Sequence, residues 1–114
     1  MRRLGEFEQL LLFAVLRLGS EAYGARIRAE IERRVGRAPA VGAIYTGLDR
    51  LEARGLVSSF VGEATAVRGG RRKKYYRLEA GGAAALHRTW TSLASMADGM
   101  IPRLARLAQS GGRP

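Results

Sequence analysis

The sequence predicts a mainly α-helical chain with one small β-hairpin, and three observations carry that prediction. Apolar residues recur at three- and four-residue spacing through most of the first 55 positions and again after about residue 80. Between these stretches the period drops to two, in LVSSFV at 56–61 and KYYRL at 74–78. Glycine or proline stands at each change of pattern. At 114 residues the chain suffices for one compact domain and one extra element.

The first helix is predicted over residues 5–18, where Phe7, Leu10, Leu11, Ala14, Val15 and Leu18 share a face and Gly19 marks the stop. Ser20 is the predicted N-cap of a second helix, with Tyr23, Ile27 and Ile31 on its apolar stripe. Its opposite face carries Arg26, Glu30, Arg33 and Arg34, and Gly36 and Pro39 end it. The third helix begins near Val41 and runs to Gly55, with Val41, Ile44, Leu48 and Leu51 predicted to face the core. Two strands follow, joined by GEATAVRGGRRK, which is too long for a tight turn and makes an antiparallel hairpin with a basic tip. A fourth helix is expected over 80–108, and 109–114, QSGGRP, is expected to be disordered.

Three short helices and then a basic hairpin is the element order of a winged helix-turn-helix. The second and third helices, joined by GRAPA, form the helix-turn-helix, and the hairpin is the wing. Residues 1–79 are thus expected to be a DNA-binding domain. The charge agrees. The net charge is +10, and residues 68–77 contain six of the twenty cationic side chains and no acid. Solvated faces usually mix both signs, so an unmixed patch points to a polyanion. The wing residues Arg68, Arg71, Arg72, Lys73 and Lys74 are the candidate phosphate contacts. On the third helix, Gly42, Thr46 and Arg50 point away from the predicted core stripe, and Tyr45 lies on the flank. Gly42 and Thr46 are small and near the N-terminus, where backbone approaches a groove closely. Tyr45 offers a hydroxyl to phosphate, and Arg50 reaches phosphate or guanine. The competing readings are that Tyr45 flanks the core and Arg50 pairs with Asp49 or Glu52.

These stretches resemble the PadR family of bacterial transcriptional regulators. The likeness lies in LGEFEQLLLFAVLRL, EAYGARI, VGAIYTGLDRLEARGLV and RGGRRKKYYRL, from Leu4 to about Leu86. The short length resembles the compact subfamily with a single C-terminal dimerisation helix. The resemblance implies a homodimer on a palindromic operator in double-stranded DNA, often with ATGT and ACAT half-sites, that usually represses a nearby gene. Two positions depart from the pattern. Gly47 stands where many relatives carry a bulkier residue, and Glu79 stands where a Thr or Ser N-cap often follows YYRL.

Leu86, Trp90, Leu93, Ala97, Met100, Leu104 and Leu107 follow one another at alternating four- and three-residue steps. That is a heptad seam, and it predicts a dimer interface between two copies of the fourth helix. The bland alternative packs the seam on the first helix of the same chain. Asp98, Gly99 and Pro102 interrupt it, and a kink is expected where proline removes a hydrogen bond. The resemblance further implies a small planar aromatic effector between subunits. Trp90 would stack on it, with Phe13 and Leu93 as further wall residues, against the reading of Trp90 as a core anchor. Met96 and Met100 would suit an adaptable wall.

Other function classes fare poorly. There is no cysteine. The one histidine, His87, has no nucleophile or metal-ligand spacing near it, and Gly69-Gly70 lacks phosphate-loop spacing. No catalytic residue, metal or cofactor is expected. The longest apolar run, Leu10 to Leu16, is too short to cross a bilayer, so no membrane partner is expected and the cytoplasm is the expected location. The rival reading is a non-specific basic protein coating nucleoid DNA or RNA. The third-helix face and the seam separate the two, because a symmetric reader needs two-fold geometry.

Overall fold

The computed structural model describes residues 3–62 and 72–111. Helix α1 (Glu6–Leu18) starts where the Glu8 carboxylate accepts the Gly5 N–H at 2.8 Å and ends at Gly19, whose φ of 56° favours glycine. Helix α2 (Gly24–Val35) closes on Gly36 in the left-handed region at φ 91°. Helix α3 (Val41–Ala53) follows after the GRAPA turn, which the Arg28 Nε–H holds by donating to the Pro39 carbonyl at 2.6 Å. Strands β1 (Val57–Val61) and β2 (Lys74–Leu78) pair antiparallel, with Val57 opposite Leu78 and Val61 opposite Lys74. Helices α4 (Ala80–Ala97) and α5 (Ile101–Gln109) complete the chain.

The core sits where α1 crosses α2 and α3. Leu11, Leu12, Ile27, Leu48 and Leu51 are fully buried there, and Val57, Tyr76 and Leu86 close it from the hairpin and α4. Gly47 decides how closely α3 approaches α1, because a Cβ there would lie 2.6 Å from Leu11 Cδ1 and 3.3 Å from Phe7 Cε2. The position therefore packs inward and is not on the exposed face of α3. Arg54 at the end of α3 meets Glu8 on α1 at 3.0 Å, pinning the same pair of helices.

Several sequence expectations are corrected. Ser20 does not cap α2. Residues Gly19–Glu21 form a 3₁₀ turn, Ala22 turns tightly as the Tyr23 N–H donates back to the Glu21 carbonyl at 3.0 Å, Tyr23 is extended, and the helix begins at Gly24. The sheet claims that backbone first: the Tyr76 N–H donates to the Ala22 carbonyl at 2.8 Å, and Tyr23 bridges Tyr75. Val41 is 55% exposed rather than buried. A helical side chain covers the turn N-terminal to its own Cα, and the first residue of a helix has no such turn beneath it.

The single helix expected over 80–108 is two. The break falls at Asp98–Met100, where Gly99 adopts φ 73°. Pro102 then lies in the first turn of α5, where its missing N–H costs nothing and no carbonyl opposes its ring. Helix α5 also includes Gln109, one residue into the segment expected to be disordered, and residues 112–114 lie outside those described. The distal half of α4 and all of α5 stand away from the core. The long axis is 58 Å and the radius of gyration 16.9 Å, against about 13 Å for a compact chain near this length.

Candidate nucleic-acid interface

The face of α3 opposite the core is solvent-exposed at Gly42, Tyr45, Thr46, Asp49 and Arg50. Sequence periodicity finds it because Ile44, Leu48 and Leu51 are buried on the other side. Among the described residues Arg50 has no ion-pair partner, and the nearby Glu52 carboxylate instead accepts the Ser59 hydroxyl of β1 at 2.6 Å. That bond fastens the recognition-type helix to the hairpin. Gly42 has open space around its Cα.

Tyr45 is placed by an interaction that the sequence does not announce. Its ring and hydroxyl lie across Gly24, so closely that a Cβ at Gly24 would collide with them. The phenol thus sits at the first turn of α2, where N–H groups lack partners within the helix and the local potential is positive. Tyr45 remains 42% exposed, so it flanks the core without joining it.

Of the wing cations, Arg72, Lys73 and Lys74 are exposed, while Arg68 and Arg71 lie outside the described residues. The Lys73 ammonium sits 4.4 Å from the centre of the Tyr23 ring, and Lys74 lies 5.7 Å from that of Tyr76. Tyr23 immediately precedes Gly24. Helix α3, the start of α2 and the base of the wing therefore present donors and cations on neighbouring positions.

Not every cation of α2 is available in the same way. Arg33 and Arg34 close on Glu30 at 2.9 and 2.6 Å, and these guanidinia, Arg34 foremost, hold the Glu30 carboxylate below its usual pKa. Beneath the interface, Tyr76 is buried with no partner for its hydroxyl among the described residues, and its pKa is pushed up to about 12. Burial is the main cause, and the Asp49 and Glu52 carboxylates add to it.

The seam residues divide at Leu86, which is buried against α1. Beyond it Trp90, Leu93, Met96, Ile101 and Leu104 are all more than half exposed, Met96 reaching 80%, while Ala97 and Leu107 are half-buried and Met100 is exposed. Phe13 and Trp90 meet edge to face at 5.9 Å. Leu93 turns instead into a groove of about 540 Å³ between the N-terminal segment and α4, with Leu4, Gln9, Arg88 and Met96. The three effector candidates do not line one cavity within a single chain. His87 is exposed, and the described residues contain no cluster of potential metal ligands.

Comparison with known proteins places this arrangement. Solved structures with similar folds include a PadR family transcription regulator from Clostridium difficile R20291, at TM-score 0.65 and 26% identity, covering 86% of this chain and 98% of that one. A PadR-like transcriptional regulator from Bacillus cereus ATCC 14579 gives TM-score 0.67 at 20% identity, covering 87% and 90%. Bacillus subtilis PadR, solved in complex with operator DNA, gives TM-score 0.63 at 22% identity over 75% of this chain and 46% of that one. The latter two likenesses are of fold. No curated protein matches the sequence. The model of the transcriptional regulator PadR-like family matches residues 12–88, which is more than half of the chain and spans the whole helix-turn-helix and wing. With a winged helix built as described and that match across it, the chain belongs to the PadR-like family, whose members are transcriptional regulators and not enzymes.

Proposed function

We propose that this chain is a sequence-specific DNA-binding regulator that acts as a homodimer on a palindromic operator and represses a nearby gene. One observation carries the reading: Tyr45 on the exposed face of α3 lies against the start of α2, and Tyr23 just before that start carries the wing's Lys73. Groups from three elements thus converge on the side a duplex would approach. Helix α3 enters the major groove with Gly42 and Thr46 nearest the bases, and Arg50 reads a base edge or its phosphate. Tyr45, the first turn of α2, Lys73 and the wing's other cations hold the backbone. Bacillus subtilis PadR, a protein of the same fold solved in complex with operator DNA, supports the DNA-binding reading.

The exposed apolar residues of α4 and α5 support the second copy, since no other described residue covers them. Two-fold pairing would set the two α3 helices about 34 Å apart, one turn of DNA. A planar aromatic effector stacked on the open side of Trp90, paired with Phe13, would alter that spacing. A regulator of this kind would work in the cytoplasm, where its operator is; separately, no helix among the described residues is long and apolar enough to cross a membrane.

The test compares two classes of variant on the segment upstream of the chain's own gene and on random duplex. Arg72→Ala, Lys73→Ala and Lys74→Ala should weaken both about equally, each lowering the salt slope by about one. Thr46 and Arg50 variants should change the preference among operator variants by about 1–3 kcal/mol at one base pair. Uniform weakening by both classes would make the chain a non-specific coat of nucleoid DNA or RNA instead.

A further inference from the structure

We propose that Tyr23 and Tyr75 are positioning residues that fix Lys73 of the wing beside the first turn of α2, so that placement as well as charge sets its phosphate contact. The inference rests on the DNA-binding reading above. Its basis is a ladder of rings and cations on the face of the hairpin opposite the buried Tyr76. Lys73 lies over Tyr23 at 4.4 Å, and Tyr23 meets Tyr75 edge to face at 5.5 Å. Tyr75 stacks on Phe60 at 5.5 Å with the planes 15° apart, and the Arg77 guanidinium covers Phe60 at 5.2 Å.

The backbone locks the same rungs. Tyr23 bridges Tyr75, the Gly62 N–H donates to the Lys73 carbonyl at 2.8 Å, and Gly62 leaves room for the Tyr75 ring, which a Cβ would approach to 2.6 Å. Lys73 is thereby tethered at its main chain and its ammonium. A lysine in a basic loop ordinarily loses much rotamer freedom on meeting a phosphate. Here a ring face restricts it beforehand. An acidic partner would do so by neutralising the charge, whereas an aromatic quadrupole attracts the ammonium and leaves its full charge for the duplex. Among the described residues Lys73 has no ion pair.

The experiment is a double-mutant cycle on Tyr23 and Lys73, read as affinity for a fluorescein-labelled random-sequence 30-base-pair duplex over a salt series. Lys73→Ala should weaken the otherwise native protein about fivefold, with a slope shallower by about one. Tyr23→Leu should cost about threefold, and adding Lys73→Ala to it less than about twofold more. Tyr23→Phe, which keeps the ring, should bind as the native protein does. Equal losses from Lys73→Ala in both backgrounds would overturn the positioning while leaving DNA binding intact. Failure of the native protein to bind duplex in a salt-dependent way would overturn the DNA reading itself. Should Tyr23→Leu not fold, the ε-methylene protons of Lys73 in the native protein decide the matter. An upfield ring-current shift supports the placement, and random-coil values refute it.

Discussion

Gly81 and Gly82 are neighbours in the first turn of α4, yet the same substitution should have opposite signs at the two. A Cβ on Gly81 would lie 3.5 Å from the Gly55 carbonyl oxygen and 3.8 Å from a Leu56 methyl, which is ordinary contact. Gly81→Ala should therefore stabilise by roughly 0.4–1 kcal/mol, because alanine has less unfolded-state freedom to lose. A Cβ on Gly82 would run into the Leu56 carbonyl oxygen and reach 2.8 Å from Leu78 Cδ1. That oxygen cannot easily retreat, since it accepts the Glu79 N–H at 3.0 Å and so joins β1 to the start of α4. Overpacking of this kind costs roughly 1–3 kcal/mol, and loss of the hydrogen bond about 1 kcal/mol more. Set against the same entropic gain, Gly82→Ala should destabilise by about 1–3 kcal/mol. At about 4 °C per kcal/mol for a chain of this size, the two variants should melt on opposite sides of the parent, Gly81→Ala a few degrees above it. Melting must be compared at equal protein concentration, because association would add to apparent stability. A Gly82→Ala protein as stable as Gly81→Ala would refute the reasoning, showing that α4 shifts away from β1 without cost.

Three further outcomes follow from the exposed seam, the buried phenol and the lone indole. Leu93→Asp or Leu104→Asp should give monomers or aggregates in sedimentation and lose tight operator binding, and retained dimers in both would place the interface elsewhere. Tyr76 has a folded pKa above its unfolded value, so its neutral form supports the fold fully below about pH 10 and that support fades as pH rises through about 12. Tyr76→Phe should flatten this alkaline loss in a pH series of urea melts and leave stability at pH 7 within about 1 kcal/mol of the parent, because no bond to the hydroxyl is lost. Planar aromatic cations should quench Trp90, the only tryptophan, and release operator DNA. A Trp90→Ala protein that stays dimeric yet responds to the same dyes would rule the indole out as their platform.

Much was legible before the fold was seen, and the reason is local. Periodicity placed α1, α3 and both strands to within a residue or two, since burying one face of a helix or strand imposes its repeat on the chain. Glycine marked Gly19, Gly36 and Gly55 as stops, and all three adopt positive φ. The exposed face of α3 followed from the same repeat. Where sequence reasoning missed, a distant partner had the deciding claim. Ser20 is a good cap by type, but β2 engages the Ala22 carbonyl and the extended Tyr23, which delays α2. The interruption at Asp98, Gly99 and Pro102 was legible, but it is a full break at Gly99 and not a proline kink within one helix, because residue type does not say which of the three gives way.

By itself, then, the sequence determined the order and kind of the elements, the concentration of cations in the wing and the family to which the chain belongs, because each is written in residue type and spacing. Only the tertiary structure decided that Gly47 is a contact with α1, that Tyr45 lies across Gly24 and that Tyr23 carries Lys73. Those are meetings of residues far apart in the chain, and their geometry comes from how the helices and the hairpin pack, which no local repeat encodes.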